Sequence, residues 1–273
     1  MKKWTFINLI ALVLGIVCLG IGAVIGGSDW YYKRWTNPVS YDKGIDSREY
    51  NIKNIEIDIA FADIDICEGD EFRIVAENVP EEYKIDFNVN GSTLKISSAV
   101  VKASWFKTHF SFGNFRNTGT YKLYIPYDMY EDLNFTCAFS NVEMYDENFR
   151  GNFKNAEFDL SFSNVTCNNM NITNSLKINS SFGSPLFNLS KDSPIKKLNI
   201  INSFGDVKIN NAVITDEVRI DSSFGSLKLN LEGEYRYNKD NAFGRVSYSG
   251  FTSRDGTPIK IDNAFGDVSI TVN

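Results

Sequence analysis

The sequence predicts an all-β chain: a β-solenoid with rungs of about 20 residues, preceded by one N-terminal transmembrane helix. Three observations predict it. A Phe-centred phrase recurs at a nearly fixed interval. Apolar and polar residues alternate strictly around it. An uncharged apolar run opens the chain. The phrase reads Ser181-Phe182-Gly183, Ser203-Phe204-Gly205, Ser223-Phe224-Gly225, Ala242-Phe243-Gly244 and Ala264-Phe265-Gly266. Looser copies are Ala138-Phe139-Ser140 and Ser161-Phe162-Ser163. From Phe139 to Phe265 the steps are 23, 20, 22, 20, 19 and 22 residues, a period that belongs to stacked repeats.

In chain order, residues 1–27 form a cytoplasmic stub and a membrane anchor. The run 4–26 carries no charge and is long enough to cross a bilayer as a helix. A cleavable signal would have a shorter apolar core and a small-residue cleavage site. Residues 28–50 are an aromatic juxtamembrane linker. Trp30, Tyr31, Tyr32 and Trp35, with Lys33 and Arg34 among them, suit the headgroup layer. Lys2 and Lys3 precede the span, and the charge balance tips slightly toward an extracytoplasmic C-terminal domain. The chain is therefore expected at the cell membrane, with a single pass.

Residues 51–130 form an N-terminal strand and capping region. Ile55, Ile57 and Ile59 alternate with polar residues, which is the period of a strand. Asn90-Gly91 marks a hairpin turn. The stretch 100–119 loses the alternation and loops out.

Residues 131–273 form the repeat solenoid, with Phe139, Phe162, Phe182, Phe204, Phe224, Phe243 and Phe265 as its structural marks. Aligned on Phe, the apolar positions fall six and four residues before it and three and five after it. Leu198, Ile200, Val207 and Ile209 around Phe204 show the pattern. The change from even to odd offsets marks a corner between two short strands. This reading places the rings in an interior stack about 4.8 Å apart. It makes Gly a corner device, required for its conformation or for close approach. Two residues before Phe, Ser180, Asn202, Ser222, Asn241 and Asn263 form a column expected to bond along the stack.

Asn54-Ile55-Glu56-Ile57-Asp58-Ile59, Tyr124-Ile125-Pro126 leading into Leu133, and the Ser-Phe-Gly-Asp-Val-Lys-Ile run at 203–209 resemble an adhesin-like bacterial family. Its members are membrane-anchored envelope proteins with a β-strand-repeat domain of unknown function. The resemblance covers residues 50–273. It implies a right-handed solenoid outside the membrane and a link to envelope stress, and it brings no catalytic residue.

The remaining chemistry is sparse. A net charge of −6 argues against nucleic acid. Four scattered cysteines form no CxxC pair and read as buried thiols. A single histidine, His109, leaves zinc sites and nucleophile–histidine pairs without their usual parts. No cofactor and no catalytic residue is expected.

The one acidic column is Asp221, Asp240 and Asp262, three residues before successive Phe. Its like charges would be eased by Arg219, Lys260 and solvent, or by a bound cation. Three functions are open: a non-catalytic envelope interaction protein, a carbohydrate-active enzyme using the Asp column, and a sensor acting through a membrane partner. The sequence ends three residues past Ile270 with no polar cap. The C-terminal rung is thus expected to meet an envelope protein or glycan partner, or to be shielded by the 100–119 excursion.

Overall fold

Strict alternation of Ile, Leu, Val and Phe with polar residues commits each segment to a strand with one buried face. The structure, a computed structural model, describes residues 38–45, 50–81, 84–98, 120–144, 151–241 and 244–273. The segment 4–26, the four interface aromatics, His109 and Phe243 lie outside the described residues. Among the described residues no helix is long and apolar enough to cross a membrane.

The N-terminal strands are β1 (Pro38–Ile45), β2 (Asn54–Ala60), β3 (Asp63–Gly69), β4 (Phe72–Pro80), β5 (Ile85–Asn90), β6 (Thr93–Ser98) and β7 (Thr120–Pro126). The repeats follow as β8 (Met129–Ala138), β9 (Asn141–Met144), β10 (Asn152–Ser161), β11 (Asn164–Ser181), β12 (Leu186–Leu189), β13 (Ile195–Ser203) and β14 (Asp206–Ala212). The C-terminal strands are β15 (Ile214–Ser223), β16 (Ser226–Leu231), β17 (Tyr235–Asn241), β18 (Arg245–Ser249), β19 (Thr257–Ala264) and β20 (Asp267–Val272).

Each rung is two of these strands joined at a corner. Successive rungs pair in parallel, so two stacks of strands face one another. One stack runs β6, β2, β8, β10, β11, β13, β15, β19, β17. The other runs β7, β3, β9, β11, β12, β14, β16, β20, β18. β11 serves both stacks: its first half pairs β9 and its second half pairs β10. The change falls near Asn169, whose φ is +55°, a left-handed conformation that Asn tolerates. The apolar columns meet between the stacks as one continuous core. Ile55, Leu133, Leu176, Leu198, Val218 and Ile259 stand on one side, and Ile66, Met144, Cys167, Ile209, Leu229 and Ile270 on the other. The expected β-solenoid is therefore present. Burial also pushes the Cys137 thiol up to about 11 and raises that of Cys167, as the thiol reading anticipates, whereas Cys67 is only half-buried and Cys18 lies outside the described residues.

Chain order and spatial order part at both ends. The first rung in sequence, β2–β3, lies second in space, because β6 and β7 pair with its outer edges. It is a full rung with its own corner at Phe61, where a cap was expected. Beyond it, β5 runs antiparallel to β6, β4 antiparallel to β7, and β1 antiparallel to β4. Residues 38–45, read as linker, thus form an edge strand. The Tyr41 hydroxyl ties β1 to β5, donating to the Ile85 carbonyl at 3.1 Å and accepting from the Ile85 N–H at 2.8 Å. Its burial pushes the phenol up to about 12.

At the other end the last rung in sequence, β19–β20, inserts between β15–β16 and β17–β18. The expected open C-terminal rung is therefore closed by the preceding one, residues 235–249. Ile259 and Ile270 are buried. The 100–119 excursion, the shield expected for this rung, lies outside the described residues.

The residues of β17–β18 explain its place. Four positions before Phe, other rungs carry Ile or Phe; here Lys239 stands in register with Ile261. Lysine is rarely buried unless paired, and among the described residues β17 and β18 are the end rung of the stack. Tyr237 and Tyr248 stack at 5.1 Å over the end of the core, half-buried. Tyr235 reaches back past the inserted rung: its hydroxyl accepts from the Ile214 N–H at 3.0 Å and donates to the Glu232 carbonyl at 3.2 Å.

Among the described residues, β17 and β18 have strand partners only in β19 and β20. Ending the chain at Gly256 is therefore expected to release two rungs and not one. Limited proteolysis with mass spectrometry should then find the protected core ending near Leu231. Protection of residues 235–249 in that truncation would mean that β17–β18 docks directly on β15–β16, and would refute the dependence.

Candidate functional site

The solenoid has two kinds of long outer feature, a ridge at the corners and polar columns on the strand faces. The ridge is built by Phe61, Phe139, Phe162, Phe182, Phe204, Phe224 and Phe265. All seven have left-handed φ, from +53° to +63°. Their rings stack nearly parallel, 4.6–5.1 Å apart and within 9° of coplanar orientation.

The stack is outside, which corrects the interior placement expected from the even offsets. Phe162, Phe182, Phe224 and Phe265 are 43–47 % exposed. The left-handed residue reverses the alternation one position early, so Phe points out and the next residue points in. Each ring face is covered by a neighbour, and the ring edges meet water.

What the strained conformation secures is hydrogen bonding round the bend. From Phe61 to Phe224 each Phe N–H donates to the carbonyl before the next Phe in the stack, as in Phe182 to Ser203 at 3.1 Å and Phe204 to Ser223 at 3.0 Å. Two residues on, Asp206 N–H donates to Gly183 O at 3.0 Å, and Ser226 N–H to Gly205 O at 2.9 Å. A non-glycine residue in this region costs roughly 1–3 kcal/mol. Stacking returns about 0.5–1.5 kcal/mol per ring pair, and the ladder pairs the Phe amides and those two residues on across the bend.

Two side-chain solutions fill the corner behind Phe. In early rungs Ser follows Phe: Ser140 Oγ accepts from the Ala62 N–H at 3.0 Å and donates to the Ala138 carbonyl at 3.0 Å, and Ser163 Oγ repeats this one rung on. There the position two before Phe is apolar, Ile59, Cys137 or Leu160. In later rungs Gly follows Phe and the polar group moves to the earlier position. Asn202 Nδ2 donates to Gly205 O at 2.8 Å, and Asn263 Nδ2 to Gly266 O at 2.8 Å. Asn202 Nδ2 also reaches Ser226 O one rung on at 3.4 Å, so these amides bond to backbone carbonyls, where bonds along the side-chain column were expected. Gly is needed for close approach, because an added Cβ on Gly205 would lie well inside contact distance of the Gly183 carbonyl oxygen.

Polar ladders do run along the stack elsewhere. Asn188 Nδ2 donates to Asn168 Oδ1 at 2.6 Å, Asn210 to Asn188 at 2.6 Å, and Asn230 to Asn210 at 2.8 Å.

The Asp column is in register but in altered order: Asp221 pairs with Asp262, and Asp262 with Asp240. The description of Asp240 extends to its backbone alone. Partial burial, then the charge of Asp262, raises the proton affinity of Asp221, with Arg219 opposing. Lys260 is committed to Glu217 at 2.6 Å. Among the described residues no cluster of three His, Cys, Asp or Glu is placed to hold a metal ion.

Sequence reasoning missed Phe61, which is followed by Ala62 and not Gly. Its signal was present, since Ile55, Ile57, Ile64 and Ile66 fall at the repeat's offsets.

This corner, repeated from Phe61 to Phe265, falls within residues 52–272, and that stretch matches the family model Toastrack DUF4097. The chain belongs to the Toastrack family. Its solved structural neighbours include a putative adhesin from Bacteroides fragilis, 12 % identical, covering 88 % of this chain and 99 % of that one, with a TM-score of 0.49. A putative adhesin from Parabacteroides merdae is 14 % identical over 86 % of this chain and 96 % of that one, with a TM-score of 0.42. A putative cell adhesion protein from Clostridium sporogenes is 9 % identical over 87 % and 100 %, with a TM-score of 0.32. No curated protein sequence matches the chain significantly.

Three substitutions test this account of the Toastrack corner and of the Asp column. Gly205→Ala is expected to lower stability by about 1–3 kcal/mol in urea unfolding, the range of overpacking. Ser184→Ala, on the exposed face, is expected to change it little. Asp221→Asn is expected to raise the urea midpoint at pH 7. A carboxyl with a raised folded pKa favours folding fully below its ordinary value of 3.8 and loses that advantage as pH rises through the folded value. The gain from Asn should therefore vanish near pH 3. An equal gain at both pH values would mean that charge is not the cause.

Proposed function

We propose that this Toastrack chain is an adhesin-like interaction protein of the bacterial envelope, acting by binding and not by catalysis. In this reading residues 4–26 anchor it in the cell membrane, and the solenoid faces outward as a contact surface for an envelope protein or glycan. The observation that carries the reading is the periodic outer surface. Seven Phe rings at 4.6–5.1 Å spacing and an Asn ladder present the same chemistry rung after rung. Such a surface makes many weak, equivalent contacts with an extended partner, which add by avidity. The solenoid's free end, where a partner would meet strand edges, is β17–β18.

A second reading, glycan cleavage at the Asp column, is favoured by one observation, the raised proton affinity of Asp221 beside Asp262. A role in envelope stress, sensed through a partner of the membrane segment, belongs to the same proposal of an envelope location.

The test uses whole cells. Ser226→Cys, on the outward strand face, is expected to react with a membrane-impermeant maleimide in intact cells, and loss of the protein is expected to weaken attachment to glycan-coated surfaces. Labelling only after lysis would overturn the outward orientation. Turnover of a glycan panel that Asp262→Asn abolishes would replace the binding reading with the enzymatic one.

A further inference from the structure

At the edge of the solenoid away from the Phe corners, three turns surround a cleft of about 510 Å³. The segment Tyr50–Ile52 enters β2 there, Glu68–Asp70 turns from β3 toward β4, and Pro126–Asp128 turns from β7 into β8. The volume lies within the range of small-ligand sites, about 300–1,000 Å³. Its floor is apolar and buried: Ile52, Phe72 and Tyr130, with the two ring centroids 6.1 Å apart. The Tyr130 hydroxyl is already spent, donating to the Pro126 carbonyl at 2.9 Å. Two tyrosines stand exposed at the walls, Tyr50 at 41 % and Tyr127 at 54 %.

Among the described residues that line the cleft the charges are all of one sign: Glu68, Asp70 and Asp128, with no Lys or Arg. Among the described residues none of the three carboxylates makes an ion pair. The charge of Asp128 is felt at the floor, where it adds to burial in raising the Tyr130 phenol.

We propose that this cleft binds the side-chain ammonium of a lysine presented by a partner peptide. Ionised carboxylates only accept hydrogen bonds, and an ammonium supplies three donors. The tyrosine faces favour a cation, and the lysine stem can lie along their apolar surface. An anion would be repelled. A neutral polyol would bring no charge to balance the three carboxylates that line the cleft. The cleft is separate from the Phe ridge, so this inference stands or falls independently of the ridge as a binding surface.

The experiment is a calorimetric titration of the full chain, in lipid nanodiscs, with tri-lysine, its side-chain-acetylated form and chitotriose. Tri-lysine is expected to bind saturably, and acetylation to weaken it by about tenfold or more, about 1.4 kcal/mol. Asp70→Asn with Asp128→Asn is expected to weaken it similarly, and Tyr127→Ala to weaken it as well, with circular dichroism unchanged. A distant acidic pair serves as control: Asp221→Asn with Asp262→Asn should leave the affinity unaltered. Equal binding of the acetylated peptide, preference for chitotriose, an equal loss in the distant pair, or no saturable heat would each overturn the proposal.

Discussion

Everything in this solenoid depends on the backbone closing its hydrogen-bond ladder round a corner. Strand faces are readily stacked, because alternation supplies an apolar side and parallel pairing supplies the register. The corner is harder, since the chain must turn sharply while its amides still meet the neighbouring rung. A left-handed residue does this, and here it is phenylalanine and not glycine. The choice is intelligible only collectively. A lone Phe in that conformation would be strained and exposed, whereas in a column each ring is covered by the next. Corner strain thus binds the repeats to one another, and the period of the sequence is the period of that mutual support.

The residues beside Phe show how tightly the corner is specified. From Phe139 onward, either Ser follows Phe and an apolar residue precedes it by two, or Gly follows and Asn or Ser takes the earlier place. Ser140, Ser163, Asn202 and Asn263 each donate to a corner backbone carbonyl. The change occurs between Phe162 and Phe182, so one solenoid contains both solutions. Glycine's role is therefore room for the neighbouring backbone, while the unusual dihedral sits on the aromatic residue.

Much of the architecture was legible in the sequence, for physical reasons. The offsets of Leu198, Ile200, Val207 and Ile209 around Phe204 state a strand, a corner and a second strand, since burial leaves side chains no other phase. The direction of Phe was not legible. A large apolar residue at an even offset reads as core, and only the left-handed dihedral reverses it. The order of rungs was not legible either, because equivalent repeats stack on one another in any order. What distinguishes β17–β18 is a departure, Lys239 where the others carry Ile or Phe, and a departure is silent until it has a position in space. The strands that carry Asp221, Asp262 and Asp240 are in register but in another order than the sequence suggests, for the same reason. The cleft beneath Tyr50 and Tyr127 gave no periodic signal, since turns from three separate connections build it.

The inserted rung also bears on synthesis. Residues 235–249 leave the ribosome before the strands that hold them in place, and they must wait outside the growing stack until residues 257–272 have emerged and entered the gap. A chain stalled between these points presents β15–β16 with an open edge and β17–β18 as a free, aromatic-rich segment. Closure of this end thus waits on residues 257–272, and a product truncated before them is recognisable to quality control by what it leaves unpaired.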